Sequence, residues 1–474
     1  MKSTHRTKSA ALAALAALAM SSAALPASAQ SFTVLEAFGN GTAVQSPRGV
    51  LAQGQDGLLY GTSLKGGSLG EGTVFAMTQG GDVNVVGGFS DSTGGTTCNT
   101  GLSLGRDGSF YGTCADGKSP FENGTVFSAS AASGIATLHT FAGSDGKMPE
   151  PGVPVQGIDG NFYGMTEAGG ANGAGTVFVM HGDGSVVVLY NFGGFQDDGR
   201  EPTGALTLAS DGNFYGTTMA GGKLGGGTVF KMTPGGQVTI LHAFPSKSAK
   251  EGVMPMGGVV EGKGGKFYGV TFSGGQENLG TIYVLKQTGK TQTLHSFRAV
   301  ENIAFPCDGM AMSAERSLFG TAAACKNGTC AGSAIFELTA KADFKVLHAF
   351  DPATDGTEAS GRLFLDTNGL LYGLTESGGP NGGGTAYSFD NGIAPFVSLS
   401  PASGAIGDTI NVYGQGFTEK GTKIFFGKTQ ATQNFFVGPN YDQVVVPPGA
   451  TSGTVTVKTP SGRLKSIQTF TVSH

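Results

Sequence analysis

Tryptophan is absent from the 474 residues, and charged residues make up only 13% of them, about half of the usual share of roughly 25%. The five cysteines and seven histidines show no C-x-x-C or paired-histidine spacing, which excludes a zinc site of the usual kind. Basic residues form no run that could follow a phosphate backbone, so nucleic acid is excluded as a partner. Beyond the first 29 residues there is neither a long 3.6-period apolar pattern nor a stretch approaching the roughly 20 apolar residues of a membrane span. The chain is therefore read as all-β, with no membrane span.

Aromatics are committed elsewhere. Nine of the eleven tyrosines occupy repeated strand positions, and Tyr413 and Tyr441 lie near the C-terminus. Only phenylalanines such as Phe121, Phe195, Phe272 and Phe305 remain for loops, which argues against a dedicated sugar-stacking platform.

The N-terminus has basic residues (Lys2, Arg6, Lys8), an Ala/Leu-rich run and "ALPASAQ", a small-residue cleavage signature ending at Ala29. Residues 1–29 read as a secretory signal peptide, and the mature chain as secreted or periplasmic. Removing the three basic residues of the leader leaves 26 Lys/Arg against 34 Asp/Glu, a net charge of −8. Such a surface repels nucleic acid and anionic membranes.

What is abundant is glycine, at 83 residues. The glycines recur in fixed words. "DGNFYGTT" at Asp211–Thr218 has close copies, with the aromatic-glycine pair at Tyr60, Tyr111, Tyr163, Tyr215, Tyr268, Phe319 and Tyr372, spaced by 51, 52, 52, 53, 51 and 53 residues. A "GTVF" word trails each pair, and a β run ending in phenylalanine closes each unit. One unit reads as four short strands, the size of one propeller blade. The seventh unit ends after its third strand, while a lone fourth-strand copy, "SFTVLEAF" (Ser31–Phe38), precedes the first unit. The N-terminal strand is thus expected to close the last blade. This predicts a seven-bladed β-propeller over residues 30–392, followed over residues 393–474 by an immunoglobulin-like β-sandwich.

The consensus G-x-x-YG-x-T-x-x-GG-x-x-G-x-GTVF resembles the GloVer (Gloeo/Verruco-type) tandem repeats of exported bacterial proteins, from residue 31 to about 390. The sixth copy departs, with Phe319 in place of tyrosine and "AACKNGTCAG" in place of the double glycine. The C-terminal "SPASGAIGDTINVYGQGF" and "SGTVTVKTPSG" resemble an IPT/TIG domain, which implies a spacer or interaction module. Neither resemblance supplies catalytic residues.

Cys98 and Cys114 flank a hairpin turn nearly symmetrically, and export permits oxidation, so they are expected to form a disulfide. Two of Cys307, Cys325 and Cys330 are expected to pair within the sixth unit. His139, His242, His295 and His348 share one place in the outermost strand, where they cannot converge, and read as structural. "GGSLG" at Gly66–Gly70 matches a nucleophile elbow only formally, because strands flank it.

The long connections, such as 142–152 and 193–203, fall on one face, where ligands are expected. There the residue after "YGxT" varies: Leu64, Ala115, Glu167, Met219, Phe272, Ala323 and Glu376. Glu167, Phe272 and Glu376 are therefore the candidate ligand-binding residues, with Asp197, Asp198 and Glu201 nearby. No cofactor is called for, calcium being the one cation such carboxylates could take.

The reading is a monomeric binding or scaffold protein whose long-loop face takes an extracellular protein or polysaccharide. The rivals are an extracellular polysaccharide lyase or glycosidase using top-face carboxylates, and a purely structural envelope protein. An enzyme is expected to cluster charged groups centrally, whereas a scaffold is not.

Overall fold

The computed structural model describes residues 30–39, 43–90, 95, 98, 100–116, 122–150, 152–326 and 329–473. The leader, Phe121 and His474 lie outside them. The regular structure described is all strand apart from one three-residue 3-10 turn at Ala299–Glu301. Seven of the sheets share one antiparallel four-strand plan. In the fourth it runs Gly199–Leu208, Phe214–Gly221, Gly225–Met232 and Val238–Pro245. In the sixth the first strand is split into Ile303–Ala304 and Ala311–Met312.

The repeated word acts through five contacts. Asp211 accepts the Asn213 N–H at 3.1 Å, and Gly212 has φ +77, which together tighten the turn. The other Asp211 oxygen accepts the Tyr215 hydroxyl at 3.0 Å. Equivalent Tyr–Asp bonds join Tyr60 to Asp56, Tyr111 to Asp107 and Tyr163 to Asp159. The Tyr215 ring then stacks on Phe267 of the next sheet, with centroids 3.8 Å apart. Tyr60 meets Phe110 in the same way, and Tyr163 meets Phe214.

The glycine after the tyrosine is required by space. A Cβ on Gly216 would lie 2.5 Å from Phe230 Cζ, the ring of the "GTVF" word. Two residues further on, the buried hydroxyls of Thr218 and Thr228 bond each other at 2.8 Å. The constancy of the word therefore reports how a sheet closes on itself and on its neighbour.

One sheet joins the two ends of the repeat region. Ser31–Gly39 pairs antiparallel with Gly382–Asp390, from Ser31 opposite Asp390 to Gly39 opposite Gly382. This strand covers an edge that would otherwise expose unpaired N–H and C=O groups.

After it the chain forms two further sheets. One contains Ser398–Ser400, Thr409–Tyr413, Tyr441–Val445 and Asn434–Gly438. The other is built mainly from Lys423–Phe426, Gly453–Thr459 and Gly462–Val472. Their alternating apolar residues, among them Ile410, Val412, Phe426, Val444, Val457 and Phe470, share one buried core. The Gln415 amide reaches back to Thr367 of the repeat region at 2.9 Å.

The connection read over 193–203 is shorter than expected. Strand begins at Gly199, because Gly199 and Arg200 pair with Gly221 and Ala220.

Candidate functional site

Six residues at or leading into the first strands adopt the left-handed conformation without being glycine: Ser46, Met148, Glu201, Met254, Phe305 and Glu358, with φ between 49° and 59°. All but Glu358 precede a proline. Each costs about 1 kcal/mol or more. The strain is held by packing and hydrogen bonds. The N–H groups of Met148, Glu201, Met254 and Phe305 bond carbonyls of the preceding sheet, at Asn123, Ala174, Gly226 and Leu279. The variable residue after "YGxT" donates back to this ring, from Glu167 N–H to Met148 O and from Phe272 N–H to Met254 O, both at 2.9 Å.

Inside this ring lies a cavity of about 1060 Å³, lined by residues at or leading into the first strands of all seven sheets. Neighbouring inner strands approach closely. A Cβ on Gly204 would lie 2.1 Å from Gly258 N. Glycine and alanine recur in the lining, and glutamates, arginines and phenylalanines enter it beside them.

Glu167, Phe272 and Glu376 all line the cavity, so three of the sequence candidates come together. Phe272 stacks on Phe305, another lining residue, with centroids 5.1 Å apart. Burial pushes the Glu167 carboxyl up, and the charges of Glu150 and Glu201 push it further. Glu376 instead forms an ion pair with Arg48 at 3.3 Å.

The other candidates stand apart. Asp197 is exposed, and Glu201 acts on Glu167 only through its charge. Asp198 is corrected outright, since it is no loop-face acid. It is fully buried and accepts bonds from the Tyr190 hydroxyl at 2.9 Å, Gly194 N–H at 3.1 Å and Gly199 N–H at 2.8 Å.

Asp198 belongs to a pattern that sequence reasoning missed. In the four units with a fourth-strand histidine, the ring also bonds a carboxylate from the following connection. The pairs are His139–Asp145, His242–Glu251, His295–Glu301 and His348–Asp355, at 2.7–3.1 Å. Tyr190–Asp198 is the same latch with a phenol. The histidines thus pin the connections that supply Glu150, Phe305 and Glu358 to the cavity. The partner falls six to nine residues downstream, which is too variable to read as a motif.

Arg48, Asp308 and Arg362 were also missed, and they enter the same cavity. Each departs from its repeat position, which is the signal that could have found them. The Asp308 carboxyl is raised by burial, opposed by the Arg48 charge and by bonds from Cys307, Thr321 and the Gly361 backbone. Burial depresses the Arg362 guanidinium.

Disulfides join Cys98 to Cys114 and Cys325 to Cys330. Cys307 remains a thiol, its ionisation held off first by the Asp308 charge and then by burial. Among the described residues no group of three or more His, Cys, Asp or Glu is placed to hold a metal ion, and no helix is long and apolar enough to cross a membrane.

A family model described as the Gloeobacter/Verrucomicrobia repeat matches residues 24–208, 97–324 and 203–438 in overlapping copies. No curated protein matches the sequence. Among solved structures, virginiamycin B lyase from Staphylococcus aureus superposes with a TM-score of 0.53 at 14% identity, covering 76% of this chain and 99% of its own. A fungal alcohol oxidase of the AA5 family, in complex with copper, gives 0.46 at 12% identity, covering 94% of this chain and 99% of its own. A puromycin hydrolase gives 0.43 at 14% identity, covering 74% of this chain and 52% of its own. The neighbours are β-propeller-like, and at these identities the likeness is one of fold alone.

Proposed function

The chain belongs to the Gloeobacter/Verrucomicrobia repeat family, and on that premise we propose that it is an exported glycan-binding protein. In this reading residues 1–29 are a cleaved leader. Residues 30–392 form a seven-bladed propeller, closed by its N-terminal strand. Residues 393–474 form an IPT/TIG-like immunoglobulin sandwich that serves as a spacer or contact module. The two disulfides suit an oxidising compartment, secreted or periplasmic. The protein works as a monomer.

The observation that carries the binding role is the cavity itself. Its volume suits a ligand of several sugar units. Its wall sets an apolar stacked pair, Phe272 and Phe305, beside carboxylates and arginines. A sugar presents an apolar ring face and a rim of hydroxyls, and this wall answers both. The pair supplies stacking that the tryptophan-free composition had argued against.

The test is incubation with a panel of polysaccharides, scored for retention and for new chain ends. Retention without new ends is expected. Phe272→Ala and Glu376→Gln are each expected to weaken it about tenfold. No retention of any polysaccharide, or equal retention by both variants, would sink the reading.

Catalysis is the second reading, favoured by one observation. Burial and the charges of Glu150 and Glu201 raise the Glu167 carboxyl, whereas Glu376 is paired with Arg48. Two carboxyls in unlike environments are the arrangement that acid/base cleavage of a glycan uses. New chain ends that vanish in Glu167→Gln would establish it.

A further inference from the structure

The cavity holds two arginines, and their situations differ. Arg48 has Glu376 as its counter-ion at 3.3 Å and also acts on Asp308. Arg362 has neither. No hydrogen bond or ion pair among the described residues engages its guanidinium, and no carboxylate charge acts on it. Its side chain is exposed, and it lines the cavity.

The position is exceptional within the repeats. Arg362 lies two residues before Phe364, which pairs with Tyr372. The same step in the other six sheets carries Val50, Gly101, Val153, Ala205, Gly258 and Gly309, all small or apolar. The arginine stem passes over the last of these. A Cβ on Gly309 would come within 3.4 Å of Arg362 Cδ, so the glycine leaves room for the stem. Asp308, next in the chain, does not neutralise it, being engaged by Thr321, Cys307 and the Gly361 backbone. An unpaired guanidinium facing a cavity keeps all its donors free for an anion that enters there. A planar two-oxygen anion matches its fork of donors best.

We infer that Arg362 is a carboxylate-binding subsite of the cavity, so that the glycan taken there is an acidic one whose uronate carboxylate bridges the guanidinium. This rests on the glycan-binding reading above and deepens it. The net charge of the mature chain opposes polyanions at long range. Selectivity then comes from this one unpaired cation on the cavity wall.

The test is calorimetric titration of the full-length mature protein with trigalacturonate and with its fully methyl-esterified form. The wild-type chain is expected to bind the acid about ten- to a hundredfold more tightly than the ester. Arg362→Gln is expected to abolish that preference, so that acid and ester bind alike, and Arg362→Lys to restore part of it. Thermal melting confirms that the variants fold; should Arg362→Gln not fold, the loss of preference is read from Arg362→Lys against wild type. Equal binding of acid and ester, or a preference that survives in Arg362→Gln, overturns the inference and leaves the glycan-binding reading standing. Binding of neither sugar, with no polysaccharide retained in the panel, overturns both.

Discussion

Replacing Gly216 with alanine isolates the packing contact on which every repeat relies. The added methyl would sit 2.5 Å from Phe230 Cζ, 2.8 Å from Cε1 and 3.0 Å from Leu206 Cδ2. Phe230 is fully buried, with 0% of its surface exposed, so its ring has nowhere to swing. Gly216 is not among the positive-φ glycines, so alanine meets no backbone penalty there. The cost is overpacking alone, about 1–3 kcal/mol.

Urea unfolding followed by tyrosine fluorescence reads it as a lowered midpoint at unchanged slope. Phe230→Leu shortens the offending ring, and the double variant is expected to recover at least about 1 kcal/mol relative to additivity. Gly235→Ala is the control. It lies exposed in a turn, its nearest neighbour is Thr233 Oγ1 at 4.0 Å, and its φ is not positive. A change within about 0.5 kcal/mol is expected there. If Gly216→Ala matches this control, or if the double variant shows no coupling, the glycine of the repeated word is not there for the ring.

Four further outcomes follow from particular contacts. Asp198→Ala breaks three hydrogen bonds to a buried carboxylate and should cost about 2–4 kcal/mol in unfolding free energy while leaving glycan affinity unchanged. Reducing the Cys98–Cys114 bond, which spans 16 residues, should lower stability by about 3 kcal/mol, seen as a lower melting temperature in the Cys98→Ser/Cys114→Ser variant. Burial raises the Asp366 carboxyl from 3.8 to about 6, so the native state holds that proton more tightly than the unfolded chain does. Its contribution is complete below about pH 4 and is lost as pH rises through 6, so the melting curve of Asp366→Asn should gain on wild type by about 2 kcal/mol across that window. Arg48→Gln removes a half-exposed ion pair and should change stability by less than about 1 kcal/mol, measured by the same urea midpoint.

How far the candidate site could be read in advance differed by residue. Glu167, Phe272 and Glu376 were legible because they vary at one fixed step of an otherwise constant word, and all three line the cavity. Asp198 was misread because "QDDG" looks like a solvated turn. Its burial depends on Tyr190 reaching it from the adjacent strand, eight residues back. Arg48 and Arg362 were passed over because the glycine-rich steps before the first strands draw attention to backbone shape instead of side chains. The left-handed ring at Ser46, Met148, Glu201, Met254, Phe305 and Glu358 was equally hidden, since five of its six members are recognisable only as the residue before a proline.

The sequence by itself determined the local plan. Its period, the aspartate-glycine turns and the absence of helical patterning dictate short antiparallel strands. Each of these is settled between residues close in the chain, where side-chain alternation and turn geometry act directly. What tertiary structure alone decided is which charges are neutralised. Arg48 finds Glu376 from the far end of the repeat region, Glu167 feels Glu150 and Glu201, and Arg362 finds no carboxylate at all. Electrostatic partnership depends on distance in space and on how much protein excludes water between the groups, and neither is set until all the first strands have gathered around one cavity.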